Sequence, residues 1–178
     1  DESKRLEAVL EMKEWVDIGA TLNTEFIRIS SMKQSYQQAV KSILEVTAYA
    51  KTKGIKALVE NHNDIFSNID NHLNIKRDID LSNFGLLADF GNYPKDVNNY
   101  EVLLKIAPFT KLISAKTKDF TSEMEHESYD FERCIQLFED SGYNGIYSLE
   151  QWGKSNSDYV YEKITDWMIS KVKNTIGQ

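Results

Sequence analysis

Glu60, Asp89, Lys116 and Glu150 each close a short, largely apolar run: IKALVE, FGLLAD, LISAK and GIYSLE. A carboxylate placed at the rim of a core is positioned to ligate a cation or to move a proton. Three carboxylates directed at one space repel one another. At about 4 Å and an effective dielectric near 20, each pair is worth on the order of 4 kcal/mol. Such a set must bind a cation, hold protons, or both. Lys116 offers one cation from within the chain. His62 follows Glu60 by two residues, so on a continued strand it points to the same side. It is a candidate substrate or metal contact, with loop packing the other reading. Asn92, in ADFGN, can bind a substrate hydroxyl or simply form a turn. Arg28, in FIRIS, can meet a phosphate or carboxylate of a ligand or pair with a neighbouring acid.

Other residues have plainer roles. His72 and His126 lie in polar stretches and are expected to be solvated, and SEMEHE, from Ser122 onward, reads as a mobile, solvated cover. Tyr93 and Trp152 can stack on a sugar, but packing is the expectation for both. The single cysteine, Cys134, sits in FERCIQLF with Phe131, Ile135 and Phe138 at helical spacing, which predicts a buried core thiol rather than a nucleophile. A single thiol excludes an intrachain disulfide, and a reducing, cytoplasmic location is the expectation.

The elements that position these residues alternate along the chain. Helical spacing predicts a first helix over about 2–22, with Val9, Met12, Val16 and Ala20 on its inner stripe. FIRIS follows as a strand, then a helix over about 35–52 facing inward through Tyr36, Val40, Ile43, Thr47 and Ala50. Gly54 ends that helix where left-handed backbone is wanted. IKALVE is the second strand, followed by a polar helical stretch through Ile65, Ile69 and Leu73. FGLLAD is the third strand, GNYP turns into a helix near 99–106, and LISAK is the fourth strand. A helix over 131–140, the strand GIYSLE and a closing helix over about 158–173 complete the order. Strand-to-strand spacings of roughly 30 residues are the size of one βαβ unit. The fold class is therefore α/β with a parallel sheet covered by helices. No linker or low-complexity stretch appears, so residues 1–178 read as a single domain.

Two architectures fit this order: an open doubly wound sheet, or part of an eight-stranded barrel. No glycine-rich phosphate loop, GxGxxG or GxxxxGK, occurs anywhere. In a barrel, strand ends converge on one mouth, which gives the recurring acids a purpose. The 28 acidic and 21 basic residues give a net charge of −7, which opposes broad binding to nucleic acid. No stretch has the apolar length of a membrane span, and DESKRLEAVLEMK has no signal-peptide core.

The motifs EWVDIGATLNTEFIRIS, ALVENH, GLLADFGNYP, KTKDF and SGYNGIYSLEQWG occur in the order seen in the xylose isomerase-like TIM-barrel superfamily, which the chain resembles. That superfamily includes sugar-phosphate isomerases and epimerases, ketose 3-epimerases and the endonuclease IV group. The resemblance implies the C-terminal five βα units of an eight-stranded barrel. Its first three strands have no counterpart here, so the expectation is a fragment lacking roughly 80 to 100 residues, with a naturally shortened protein as the alternative.

The resemblance also implies a single divalent metal (Mn, Mg, Co or Zn) on Glu60, Asp89 and Glu150. The fourth ligand of the pattern is a histidine, and that position holds Lys116. It further implies that Glu60 and Glu150 exchange a proton with a substrate next to its carbonyl through an enediolate, with a metal or Lys116 carrying the charge. The expected partner is a small sugar or sugar phosphate, with Arg28, His62 and Asn92 as contacts and homo-oligomerisation left open. Two rivals remain: a non-catalytic carbohydrate-binding barrel without the metal, and a metal-dependent abasic-site phosphodiesterase.

Overall fold

The computed structural model describes residues 1–31, 34–94, 97–121, 123–152 and 161–177. The chain forms two compact units, Asp1–Leu87 and Ala88–Gln178. The boundary falls inside a strand rather than in a linker.

In the first unit, helix α1 (Glu2–Thr21) leads to β1 (Phe26–Ile29), then α2 (Tyr36–Thr52) and β2 (Lys56–Glu60). A 3₁₀ turn (Ile65–Ser67), helix α3 (Ile69–Asp78) and most of β3 (Phe84–Asp89) follow. The pairs are parallel, with Phe26 opposite Lys56 and Ala57 opposite Phe84. Asp1 caps α1 by accepting from the Ser3 N–H, and Gly54 takes the left-handed conformation (φ 74°) after α2.

The buried faces of both helices differ from the periodic expectation. In α1 they are Arg5, Val9, Val16 and Gly19, not Met12 and Ala20. A Cβ at Gly19 would lie 2.8 Å from the Thr24 methyl, so glycine permits a close approach there. Arg5 tolerates burial because Glu2 and Glu45 each stand 2.9 Å from its guanidinium. In α2 the small residues Ala39 and Ser42, with Val46, replace Tyr36 and Val40 on the inner face.

The second unit holds the end of β3, α4 (Asn99–Ile106), β4 (Thr110–Thr117), α5 (Phe131–Asp140), β5 (Ile146–Gln151) and α6 (Tyr161–Ile176). The start of the last expected helix, 158–160, lies outside the described residues. β4 and β5 run parallel, with Leu112 opposite Ile146 and Lys116 opposite Glu150. α5 buries Phe131, Cys134, Ile135 and Phe138, as its spacing predicts. Phe90 packs on Phe138 and edge-on to Phe131, both with ring centroids 5.9 Å away. Burial pushes the Cys134 thiol up to about 12, which keeps it protonated and inert.

Strand order follows chain order, β1-β2-β3-β4-β5. A doubly wound sheet would reverse its order once, so this topology selects the barrel type among the two expected architectures. Among the described residues, no helix is long and apolar enough to cross a membrane.

His72 is not solvated. It is fully buried in α3, with Nε2 3.1 Å from the Val59 carbonyl oxygen. An acceptor at that distance calls for a proton on Nε2. Burial lowers its pKa to about 4. The second ring proton, on Nδ1, is taken up near pH 6.5 by the unfolded chain and only near 4 by the folded chain. The associated stability is therefore complete above pH 6.5 and is lost as pH falls toward 4, roughly 3 kcal/mol in all. His126, also lowered by burial, acts in the same direction. Urea unfolding at steps from pH 7 to pH 4 should show this decline, and His72→Gln should flatten most of it. An unchanged slope in the variant would show that another group is responsible.

Candidate functional site

At the end of β2, Glu60 is 4% exposed and its Oε2 accepts from the Arg28 guanidinium at 2.5 Å. The register explains the pair. Arg28 on β1 stands opposite Leu58, and Leu58 and Glu60 share one face of β2. Arg28 is 56% exposed, so solvent screens the pair on one side. Beyond Glu60 the chain turns tightly: the His62 N–H donates to the Glu60 carbonyl at 2.9 Å. Asp64 then accepts the Ser31 N–H at 3.0 Å and caps the 3₁₀ turn through Phe66. Together Arg28, Ser30, Ser31, Glu60, His62 and Asp64 line a groove of about 400 Å³. His62 is exposed on its wall.

In the second unit the site centres on Lys116, which is 5% exposed. Its Nζ lies 2.7 Å from Glu150 Oε1, 3.1 Å from Asn92 Oδ1 and 3.7 Å from Asp89 Oδ2. The Glu150 pair is direct register pairing across β4 and β5. Ser114, two residues earlier on the same face of β4, donates to Glu150 Oε2 at 2.8 Å. Asp89 Oδ1 accepts the Gly91 N–H at 2.8 Å, which fixes the turn after β3. The Trp152 ring centroid lies 5.5 Å from Nζ. Trp152 is 66% exposed, so the expected packing role does not hold for it, whereas Tyr93 is buried as expected.

Behind Lys116, the Tyr129 hydroxyl donates to the Lys116 carbonyl. Burial raises the Tyr129 pKa, which keeps the hydroxyl a donor. His126 is also not simply solvated. Its Nε2 accepts the Lys118 N–H at 3.0 Å, so Nδ1 carries the proton and donates to the Tyr129 carbonyl at 3.1 Å. The expected loose cover around it is organised by these bonds and by a Glu125 N–H donated to the Thr121 hydroxyl at 3.1 Å. Ser122 lies outside the described residues. Beside this segment, Gly91, Tyr93, Tyr100, Lys118, Ser128 and Tyr129 line a cavity of about 440 Å³.

Glu60, Asp89 and Glu150 are acids that could each give a carboxylate oxygen to a metal ion. Oxygen donors of this kind suit Mg, Mn or Ca. Lys116 does not complete such a set. An ammonium donates three N–H groups and has no lone pair to give. Asp89 and Glu150 already receive it, and Glu60 receives Arg28.

Residues 1–171 match a family model described as xylose isomerase-like TIM barrel. Among solved structures, L-ribulose 3-epimerase has a TM-score of 0.77 at 12% identity, over 99% of this chain and 71% of its own. A D-tagatose 3-epimerase-like protein has a TM-score of 0.74 at 17% identity, over 99% and 73%. A xylose isomerase-like TIM barrel protein from Mycobacterium smegmatis in complex with magnesium has a TM-score of 0.70 at 17% identity, over 94% and 67%. The chain thus spans about two thirds of the length of these proteins, and at such identities the likeness is one of fold. The curated proteins contain no match.

Ser114 and Tyr129 were not singled out by residue type. Strand alternation reaches Ser114, since it shares a face with Lys116, but nothing local marks Tyr129, thirteen residues on in a polar loop. Tyr129→Phe removes one donor from a partly buried carbonyl and should cost about 1 kcal/mol. Thermal unfolding should show a drop of a few degrees. An unchanged midpoint would mean that water replaces the hydroxyl at no cost.

Proposed function

The chain belongs to the xylose isomerase-like TIM barrel family, and on that footing we propose that it is an isomerase or epimerase of a sugar or sugar phosphate. The reaction removes and returns a proton on the carbon next to a carbonyl. It needs a base, a proton donor and a positive charge for the enediolate oxygen. Glu60 and Glu150 are the acid–base pair of this reading. The epimerase neighbours support it at the level of fold.

The observation that carries the reading is the pairing of Glu150 with a buried ammonium across β4 and β5. A carboxylate fixed within 2.7 Å of a cation puts a proton carrier beside a charge able to hold an oxyanion. Arg28, His62 and Asn92 are the proposed substrate contacts. Tyr93, Tyr100 and Tyr129 offer ring edges and hydroxyls to a polyhydroxylated ligand, as the adjoining cavity contains all three. The phosphodiesterase reading loses support because His72 and His126 both bond to backbone groups. A non-catalytic sugar-binding role remains the rival that the decisive assay separates.

Incubating the protein in D₂O with a panel of ketoses, aldoses and their phosphates should place deuterium beside the carbonyl of one of them, read by NMR. Glu60→Gln and Glu150→Gln should each slow exchange by on the order of a hundredfold or more. Exchange into no sugar, with binding retained, would establish the binding role instead.

A further inference from the structure

The resemblance assigns a metal-ligating histidine to the position of Lys116, yet the lysine is built in rather than merely tolerated. Its ammonium has three N–H groups, and Glu150, Asn92 and Asp89 are disposed around it at 2.7, 3.1 and 3.7 Å. Its stem is accommodated by Gly91. A Cβ there would lie 3.4 Å from Lys116 Cδ, 3.0 Å from Lys118 Cε and 3.3 Å from the Tyr129 hydroxyl. Its carbonyl is held by Tyr129, and its place opposite Glu150 is set by strand register. A divalent ion on Asp89 and Glu150 would have to displace this ammonium and would then leave it buried beside a second cation. Glu60 shows the same arrangement within its own unit, with Arg28 on its Oε2.

We propose that Lys116 is the resident cation of this site, standing where a divalent ion would bind Asp89 and Glu150, so that the protein works without a metal. This rests on the isomerase reading for what the charge does: the Nζ–H not taken by Glu150 or Asn92 holds the oxyanion of the enediolate in the place of a Lewis acid. No electrons or co-reactants are added. The proton leaves carbon for one carboxylate and returns from the other.

The test is a Mn²⁺ titration of the whole chain followed by EPR, where bound ion reduces the free-ion signal. No sugar is present, so its outcome is independent of whether exchange is ever seen. Wild type should show no stoichiometric binding up to about 1 mM, the weak end of the range for dedicated oxygen-ligand sites. Lys116→His should gain one Mn²⁺ per chain, at least tenfold tighter, and Lys116→Gln should gain at least threefold. One tight Mn²⁺ in wild type would overturn the proposal. So would weak binding that neither variant improves, since the lysine would then not be what keeps the ion out. Should one variant fail to fold by circular dichroism, the other still decides.

Discussion

The ion pair between Lys116 and Glu150 is the constraint on which the second unit's site depends. Taking an ammonium out of water costs several kcal/mol, and a nearby carboxylate offsets this only when geometry is good and the remaining donors are met. Both conditions hold. Glu150 is in register, Asn92 takes a second N–H, and Asp89 adds charge at 3.7 Å. Removing Lys116 alone would leave fully buried Asp89 without this counter-charge, the kind of change that costs about 3–5 kcal/mol. The cluster is thus poor at adding stability by itself and good at holding one charge in one place.

That role accounts for groups that otherwise look incidental. Ser114 occupies the Glu150 oxygen that Lys116 does not, so the carboxylate cannot swing freely. Gly91 keeps space for two lysine stems and a tyrosine hydroxyl. Tyr129 and His126 tie the loop before α5 to the backbone of β4, because the hydroxyl meets the Lys116 carbonyl and the ring meets the Lys118 N–H. In the first unit Arg28 does for Glu60 what Lys116 does for Glu150, though from a more exposed position. A fold whose relatives include a magnesium complex here presents its acids already matched with side-chain cations.

Much of this was legible in the chain because it rests on period and edge. FGLLAD became a strand over Phe84–Asp89 and the two helices at 99–106 and 131–140 appeared where apolar spacing placed them. The acids were visible because each ends an apolar run. What escaped was set by distant partners. His72 sits in a polar stretch, yet the Val59 carbonyl draws it inside. Arg5 is buried because two glutamates meet it, one of them on another helix. The inner faces of α1 and α2 turned toward glycine, alanine and serine because close approach favours small residues over larger apolar ones.

One ammonium and its partners organise the site, so the most direct measurement observes that group. Nitrogen-15 NMR of the lysine side chains should reveal one Nζ resonance whose hydrogens exchange slowly with water, absent in Lys116→Met and shifted in Glu150→Gln. If every lysine ammonium exchanges at the solvent-exposed rate, Lys116 is not held by Glu150, Asn92 and Asp89, and the account of this site is wrong.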